Sequence, residues 1–345
     1  MHGISLDSFD QLAFPSLDDW EEDIFADYSG SDRKEGLISP KGERYLVKYS
    51  EQHTRMNDLD TSYVNNVLSE YLSSHILAIV GFDTHETFLA TRNQELLVAC
   101  KNFTSDSERL IEFGRYLRKY YDSDDVGRVP EYSQLEYVIS KDTMLKQKKD
   151  EFLDTYWRRF IGDALIGNFD RHMGNWGYLV SRDGGIKVSP IYDNGSTLFP
   201  ALAAHGMEQV LSDEKEIMKR AFLFPKAALA MNQVKLSYYD LLHSGYSERI
   251  TEAVITVVPV ILEKMSEIKA FIDAQDFLVD IRKCFYKKIL EVRAEYLLKS
   301  AYERCVRGNF DQEAFERMEQ KKAYSEETFE RYYEAYKNST GIFSR

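Results

Sequence analysis

The sequence predicts an α+β fold with two lobes, a small β-rich lobe at the N-terminus and a larger, mainly helical lobe after it. Over about the first hundred residues, runs of β-branched and aromatic residues alternate with turn residues, a pattern typical of strands. From about residue 105, apolar residues recur mainly at helical spacing. We therefore expect an N-terminal lobe over residues 1–103, a helical lobe over 104–305 and a C-terminal helix or tail over 306–345.

The predicted N-terminal lobe consists of strands and one helix. The strands are expected over residues 36–39, 44–49, 84–91 and 95–103, with turns at 40–42 and 92–94. The helix is expected to begin at Asp60 or Thr61, either of which can cap it, and to end near Val80. Gly81 then follows, and a glycine at this position commonly ends a helix.

The predicted helical lobe contains one hairpin between helices. Residues 151–166 place apolar side chains on one broad face of a helix. Residues 176–181 and 185–189 form a predicted hairpin around 182–184, and several helices follow to about Cys305.

The composition narrows the class of partner. The formal net charge is -13, and such a surface repels the phosphates of nucleic acids and anionic lipids. We therefore expect no direct binding of nucleic acid or membrane, while a local basic cleft still has room for one nucleotide. The cysteines Cys100, Cys284 and Cys305 lie far apart and are odd in number, which favours reduced thiols in the cytoplasm.

The informative segment contains Asp170 and Asn175 before the predicted hairpin and Asp193 after it. Because a hairpin returns its ends to nearly the same place, we expect these side chains to converge. Phosphoryl transfer needs this set: one carboxylate accepts the proton of the attacking hydroxyl, and an amide oxygen and a second carboxylate hold magnesium. The spacing Asp-x-x-x-x-Asn is that of a kinase catalytic loop, and Asp-x-Gly is the matching metal-binding arm.

Two neighbours of Asp170 have other expected roles. His172 has no second histidine at ligand spacing, so we expect it to pack under the loop and fix its geometry. Arg171 pairs with a phosphate or with a nearby carboxylate, and the sequence leaves both open.

At these motifs the chain resembles the HipA-like kinases, bacterial serine/threonine kinases that include toxins of toxin–antitoxin pairs. The resemblance rests on residues 160–175 (FIGDALIGNFDRHMGN) and 188–198 (VSPIYDNGSTL). Residues 70–72 and 97–104 (LVACKNFT) are in addition similar to the shorter, single-chain, cell-translocating type. The resemblance spans roughly residues 28–200 and implies a bilobal, protein-kinase-like fold.

The resemblance also implies roles for matched residues. Asp170 would be the catalytic base, and Asn175 and Asp193 would bind Mg²⁺. Lys48 would contact the α- and β-phosphates of ATP. Glu70 lies mid-helix among apolar neighbours, where an unpaired carboxylate is costly, so pairing with Lys48 is its functional interpretation.

Two further segments would bind the nucleotide. The hinge would contact adenine through backbone groups of residues 98–103, and its candidates are Val98, Ala99, Lys101 and Phe103. The phosphate loop precedes the first hairpin, and its candidates are Ser29, Gly30 and Lys34. This loop departs from the family pattern, because Asp27 stands at the outer serine position. Autophosphorylation is then expected at Ser29, with Ser31 as second choice.

The resulting hypothesis is an ATP- and magnesium-dependent protein kinase of the bacterial cytoplasm. Its partners would be a protein substrate and, in a toxin pair, a small helix-turn-helix antitoxin. Secretion or translocation into a host cell cannot be read from these residues. A phosphoinositide-type lipid kinase is disfavoured because Asn194 replaces the usual Phe and residues 196–206 lack Lys and Arg. A pseudokinase that serves as a binding module, and a nucleotidyl transferase, are less favoured functions that the sequence leaves open.

Overall fold

The computed structural model describes residues 14–24, 33–50, 66–122 and 129–340. Within this part of the chain the strands are β1 (Glu21–Glu22), β2 (Lys34–Ile38), β3 (Arg44–Tyr49), β4 (Thr87–Arg92), β5 (Glu95–Lys101), β6 (Glu108–Glu112), β7 (Gly177–Ser181), β8 (Ile186–Val188), β9 (Ala230–Met231) and β10 (Val234–Lys235). The helices are α1 (Asn66–Val80), α2 (Phe113–Leu117), α3 (Tyr132–Lys141), α4 (Lys149–Ile166), α5 (Ala204–Ser212), α6 (Glu214–Phe222), α7 (Tyr238–His243), α8 (Glu248–Asp273), α9 (Asp280–Val292), α10 (Ser300–Arg307), α11 (Gln312–Glu319) and α12 (Glu326–Thr340). A 3₁₀ turn precedes α4, and a π-helical stretch, Arg293–Lys299, follows α9.

The chain forms two compact units. The first contains Met1–Phe103, Pro190–Glu208 and Ser266–Lys287, and the second contains Thr104–Ser189, Gln209–Met265 and Lys288–Arg345. No helix among the described residues is both long and apolar enough to cross a membrane.

The first unit is built on an antiparallel sheet with the strand order β1-β2-β3-β5-β4. Alternate residues of β3 are buried on one face, where Tyr45, Val47 and Tyr49 join an apolar core. Lys48 lies on the opposite face of the same strand, because successive side chains of a strand point to opposite sides. The helix α1 packs against β4 and β5.

The predicted strands of this unit are confirmed with small shifts. The turn between β4 and β5 has positive φ angles at Asn93 (51°) and Gln94 (65°), as a tight two-residue hairpin turn requires. β5 ends at Lys101 rather than at residue 103. The predicted start of α1 at Asp60 or Thr61 lies outside the described residues, and its predicted end at Val80 is confirmed.

The second unit contains the predicted hairpin as β7 and β8, joined by a third strand that the sequence did not indicate. β6 pairs with β7 in an antiparallel register that sets Glu112 opposite Gly177. The two backbones approach closely there, since a Cβ atom added to Gly177 would lie 2.3 Å from the carbonyl oxygen of Ile111. The short sequence of β6 has no clear period, so its strand conformation depends on this pairing.

Helices form most of the rest of the second unit, as predicted, together with the short antiparallel pair β9 and β10. The sequence allowed either a helix or a loose tail for residues 306–345, and the described part forms α11 and α12. Met318 and Phe329 of these helices are each 1% exposed. Arg317 is also buried and lies 2.7 Å from the Asp240 carboxylate on α7. Both helices are therefore packed into the unit.

Gly177→Ala tests the close approach of β6 and β7. The new methyl group would collide with backbone atoms of Ile111 and Glu112, which cannot move without breaking the strand pairing. We expect a loss of about 1–3 kcal/mol or more in the free energy of unfolding, measured by urea denaturation.

Gly206→Ala in α5 is the control for this change. Its added methyl group meets only the flexible end of Leu202, and alanine favours a helix over glycine, so the change should stay within about 1 kcal/mol. Equal losses in the two variants would contradict the close approach at Gly177.

Candidate active site

The loop that carries Asp170 begins where α4 ends. Gly167 closes this helix in the left-handed conformation, with φ 66°. The next residue, Asn168, is fully buried. Its Nδ2 donates to Asp163 Oδ1 (3.0 Å), and its Oδ1 accepts from the backbone N–H of Asp170 (3.0 Å). Asn168 therefore ties Asp170 to the last turns of α4.

Arg171 binds a carboxylate of the protein. Its Nε lies 3.1 Å from Asp163 Oδ2 and its Nη2 lies 2.9 Å from Asp163 Oδ1, a bidentate arrangement. Its Nη1 donates to the backbone oxygen of Asn175 (3.3 Å). The sequence allowed a phosphate or a carboxylate as the partner of Arg171, and this pair favours the carboxylate. Arg171 also connects the end of α4 to Asn175 at the far end of the loop.

Asn175 and His172 complete the loop. The Nδ2 of Asn175 donates to the backbone oxygen of Asp170 (2.9 Å), so its Oδ1 is the amide atom suited to a cation. The Nδ1 of His172 accepts from the backbone N–H of Gly174 (3.0 Å). His172 therefore shapes the turn, as the sequence predicts. Asp170 itself is half-buried.

Sequence reasoning missed the residues that hold this loop from outside. Tyr238 on α7 donates its hydroxyl to the backbone oxygen of Asn168 (2.6 Å). Arg293 is completely buried, and its Nε donates to the backbone oxygen of Ala164 (2.7 Å). The first N–H groups of α2 donate to the backbone oxygens of Met173 and Trp176. No local motif signals these contacts, because their residues lie far away in sequence.

Lys48, Glu70 and Asp193 come together in the first unit. The Nζ of Lys48 lies 2.8 Å from Glu70 Oε2 and 2.7 Å from Asp193 Oδ1. The side chain of Glu70 is 1% exposed, that of Lys48 16% and that of Asp193 40%. The predicted Lys48–Glu70 pair is therefore present, with Asp193 as a second, more exposed partner of the same ammonium group.

Electrostatics keep both members of the pair charged. Burial disfavours the ammonium form of Lys48, but the carboxylates of Asp193 and Glu70 outweigh it and raise the pKa of Lys48 well above its ordinary value. Burial likewise disfavours the Glu70 carboxylate. Lys48, His85 and the backbone N–H of Asn194 nevertheless hold the pKa of Glu70 well below its usual range.

The charge of this trio suits a cation. One ammonium faces two carboxylates, which leaves one negative charge, carried most openly by Asp193. Asp193 also has a left-handed backbone, with φ 58°, a conformation that costs free energy in a residue other than glycine. Carboxylate and amide oxygens are the hard ligands that Mg²⁺ prefers, so the side chains of Asp193 and Asn175 are each of a type that binds this ion.

The structure separates the predicted hinge residues into two groups. Val98 and Ala99 lie in β5 between β3 and β4 and are paired on both sides, so their backbone groups are used by the sheet. Lys101 is the last residue of β5, and its Nζ lies 2.8 Å from Glu43. Phe103 lies beyond the strand, with its ring centroid 5.5 Å from that of Tyr192.

Most of the predicted phosphate loop lies outside the described residues, including Asp27, Ser29, Gly30 and Ser31. Lys34 is described. It opens β2 and is the cross-strand partner of Lys48, so the two lysines are neighbours on one face of the sheet.

The chain is similar to a known protein family and to proteins of known structure. Residues 26–258 match the family model described as the HipA-like C-terminal domain. The serine/threonine-protein kinase CtkA of Helicobacter pylori is 29% identical over 281 residues, which are 81% of this chain and 85% of that protein. The crystal structure of the proinflammatory kinase CtkA matches with a TM-score of 0.79 and 27% identity, over 87% of this chain and 100% of that one.

A more distant match is HipA of Shewanella oneidensis, solved with HipB and operator DNA. Its TM-score is 0.45 at 12% identity, over 86% of this chain and 72% of that one. The CtkA match confirms the predicted fold class, a kinase-like α+β fold with a β-rich N-terminal part and helices after it.

Asp163→Asn tests whether the Asp163–Arg171 pair supports the loop that carries Asp170. The amide keeps the shape of the side chain but removes the carboxylate charge that pairs with Arg171, whose side chain is 11% exposed. Breaking a buried ion pair in this way typically costs about 3–5 kcal/mol. We expect a loss of that size in the free energy of unfolding.

Asp154→Asn on the same helix is the matched control. Asp154 is 42% exposed and pairs with Arg249, so its loss should cost at most about 1 kcal/mol. A stability of Asp163→Asn equal to that of the control would show that the Arg171 pair does not support the loop.

Proposed function

This chain belongs to the HipA-like C-terminal domain family, and we propose that it uses magnesium and ATP to phosphorylate a hydroxyl group of a protein. Its enzyme class is that of the serine/threonine protein kinases. The observation that carries the proposal is the bonding of one lysine, Lys48, to both Glu70 and Asp193. A kinase needs this combination of a phosphate-binding lysine, its glutamate partner and a metal-binding aspartate.

Lys48 is the proposed phosphate-binding residue, and Glu70 is the carboxylate that positions it. Glu70 cannot easily turn away, because its carboxylate is buried and bonded to Lys48, His85 and Asn194. It therefore holds the ammonium group of Lys48 in one direction, ready to contact the α- and β-phosphates. Lys34, beside Lys48 in the sheet, adds a second positive charge on the same face.

Asp193 and Asn175 are the proposed metal ligands. Bound Mg²⁺ would neutralise the charge that develops on the phosphates. Asp193 offers a carboxylate that is 40% exposed, and Asn175 offers the amide oxygen that its hydrogen bond to the Asp170 carbonyl leaves available.

Asp170 is the proposed base. As the Oγ of a substrate serine or threonine attacks the γ-phosphorus, the carboxylate of Asp170 accepts the hydroxyl proton, and the bond from phosphorus to the bridging oxygen of ADP breaks. The backbone of Asp170 is fixed through Asn168, which supports a directed rather than a mobile carboxylate.

The adenine contact is proposed for the chain after Lys101. The sheet uses the backbone groups of Val98 and Ala99, which disfavours these two residues as the source of hydrogen bonds to a base. Phe103 lies past the end of β5 and is the better candidate among the predicted hinge residues.

The proposed substrate is a protein of unidentified sequence. A cytoplasmic location, a helix-turn-helix antitoxin as partner, and autophosphorylation at Ser29 stay predictions. Phosphosite mapping of the enzyme after incubation with magnesium and ATP tests the last of these, with Asp170→Asn as the inactive comparison.

Asp170→Asn should abolish phosphotransfer in a folded protein. The amide keeps the shape of the side chain but cannot accept the hydroxyl proton, and general-base catalysis contributes about 10²- to 10⁴-fold. The measurement is transfer of labelled phosphate from ATP to proteins of a lysate. Asp183→Asn, in the exposed turn between β7 and β8, is the control and should keep full activity. Activity of Asp170→Asn near that of the control would reject the role.

Asp193→Ala and Asn175→Ala should raise the magnesium concentration needed for activity, and Asp193→Ala should do so more. A carboxylate binds Mg²⁺ more strongly than a neutral amide does, because of its charge. The measurement is ATP turnover over a range of magnesium concentrations. An unchanged magnesium requirement in Asp193→Ala would remove Asp193 from the metal site, even if total activity fell.

A further inference from the structure

Behind the Lys48–Glu70 pair lies a ring of buried polar groups, and Glu70 is the one member to which the proposed reaction gives a chemical role. Its members are Glu70, Ser74, His85 and Asn194, each at most 5% exposed. The backbone N–H of Asn194 donates to Glu70 Oε1 (2.8 Å), and its Nδ2 donates to Ser74 Oγ (2.9 Å). His85 Nε2 closes the ring, at 3.1 Å from Ser74 Oγ and 3.0 Å from Glu70 Oε1.

The two oxygens of the Glu70 carboxylate have different partners. Oε2 contacts Lys48, and Oε1 contacts the backbone of Asn194 and the imidazole of His85. A carboxylate only accepts hydrogen bonds, so His85 carries a proton on Nε2. Both oxygens are therefore bonded, which fixes the plane of the carboxylate as well as its position.

Asn194 forms hydrogen bonds to two successive turns of α1. Glu70 and Ser74 are four residues apart and thus lie one above the other on the same face of the helix. One residue bonded to both cannot slide along α1 or rotate away from it. Thr197 adds a second fastening, since its Oγ1 donates to the Asn194 carbonyl (2.7 Å) and lies 2.6 Å from Ser73 Oγ.

The buried hydrogen bond to Ser74 requires a side chain at position 194 that can donate. An apolar side chain there would remove the amide N–H that donates to the buried hydroxyl of Ser74, and losing one such hydrogen bond typically costs about 0.5–1.5 kcal/mol. The chain thus fastens the segment after Asp193 to α1 by hydrogen bonds, at the position where the common Asp-Phe-Gly arm carries an aromatic ring.

We propose that Asn194 is a positioning residue that aims the carboxylate of Asp193 by binding α1. The inference rests on the proposed function, because it assigns Asn194 to the metal arm of that reaction. Asp193 directly precedes Asn194 and has the left-handed backbone noted above. Loosening residue 194 would let Asp193 relax from this conformation and turn away from Lys48.

The test compares Asn194→Leu, Ser74→Ala and their double variant. Leucine has the same number and branching of side-chain heavy atoms as asparagine and keeps the backbone N–H, but it cannot donate to Ser74. Outer-sphere partners of metal ligands typically contribute about 10- to 100-fold to metal affinity or activity. We expect each single variant to raise the magnesium requirement and lower kcat within this range. The double variant should resemble the worse single variant, because both changes remove the same bond.

Thr87→Val is the control for polar loss in the same unit. Thr87 is buried, and the structure gives no hydrogen-bond partner for its Oγ1 among the described residues. Its kinetic constants should equal those of the wild type. A role of Asn194 in folding alone would lower the concentration of active enzyme in Asn194→Leu and leave KM for ATP and the magnesium dependence unchanged, which would overturn the proposal.

Failure of this inference and failure of the proposed function would give different results. Wild-type kinetics in Asn194→Leu, with Asp170→Asn inactive, would overturn only the role of Asn194. If the wild type transfers no phosphate, the proposed function fails. The ring is then tested by the thermal shift that magnesium and ADP produce. A shift in wild type and Thr87→Val that is lost in Asn194→Leu supports the role, and equal shifts, or none in any variant, overturn it.

Discussion

The ammonium group of Lys48, held between two carboxylates, is the interaction on which the first unit depends. Burying the Glu70 carboxylate would be costly without an opposite charge beside it. The strand alternation of β3 supplies that charge, since it turns Tyr45, Val47 and Tyr49 into the core and Lys48 towards α1. The same ammonium group also holds Asp193. One side chain therefore connects the sheet, the helix α1 and the segment that carries Asp193.

The second unit solves a different problem, the placement of a polar loop on buried supports. Asp163 accepts hydrogen bonds from both Asn168 and Arg171, and Arg171 reaches on to Asn175. This chain of contacts fixes the backbone on either side of Asp170. The carboxylate that the proposed chemistry needs is thus carried by a loop whose own polar groups are satisfied within the protein.

Local patterns in the sequence were enough to predict β3, β5, the β7–β8 hairpin and α4, because strand and helix periods and turn residues are local properties. The Lys48–Glu70 pair could also be predicted, since a carboxylate among apolar helical residues demands a partner. β6, Tyr238 and Arg293 could not, because their roles come from contacts with residues far away in the chain. In the sequence, Asn194 was visible only as a departure from the Asp-Phe-Gly motif. Its hydrogen bonds to Glu70 and Ser74 give this asparagine a structural role.

The buried Arg293 determines how short a working fragment of this protein can be. It lies beyond residue 258, where the match to the family model ends. Its guanidinium nevertheless binds the Ala164 carbonyl at the end of α4, just before the loop that carries Asp170. A chain cut at the family boundary would expose that carbonyl and remove a support of the segment leading to Asp170. The part of the chain that supports the loop with Asp170 is therefore longer than the part that matches the family model.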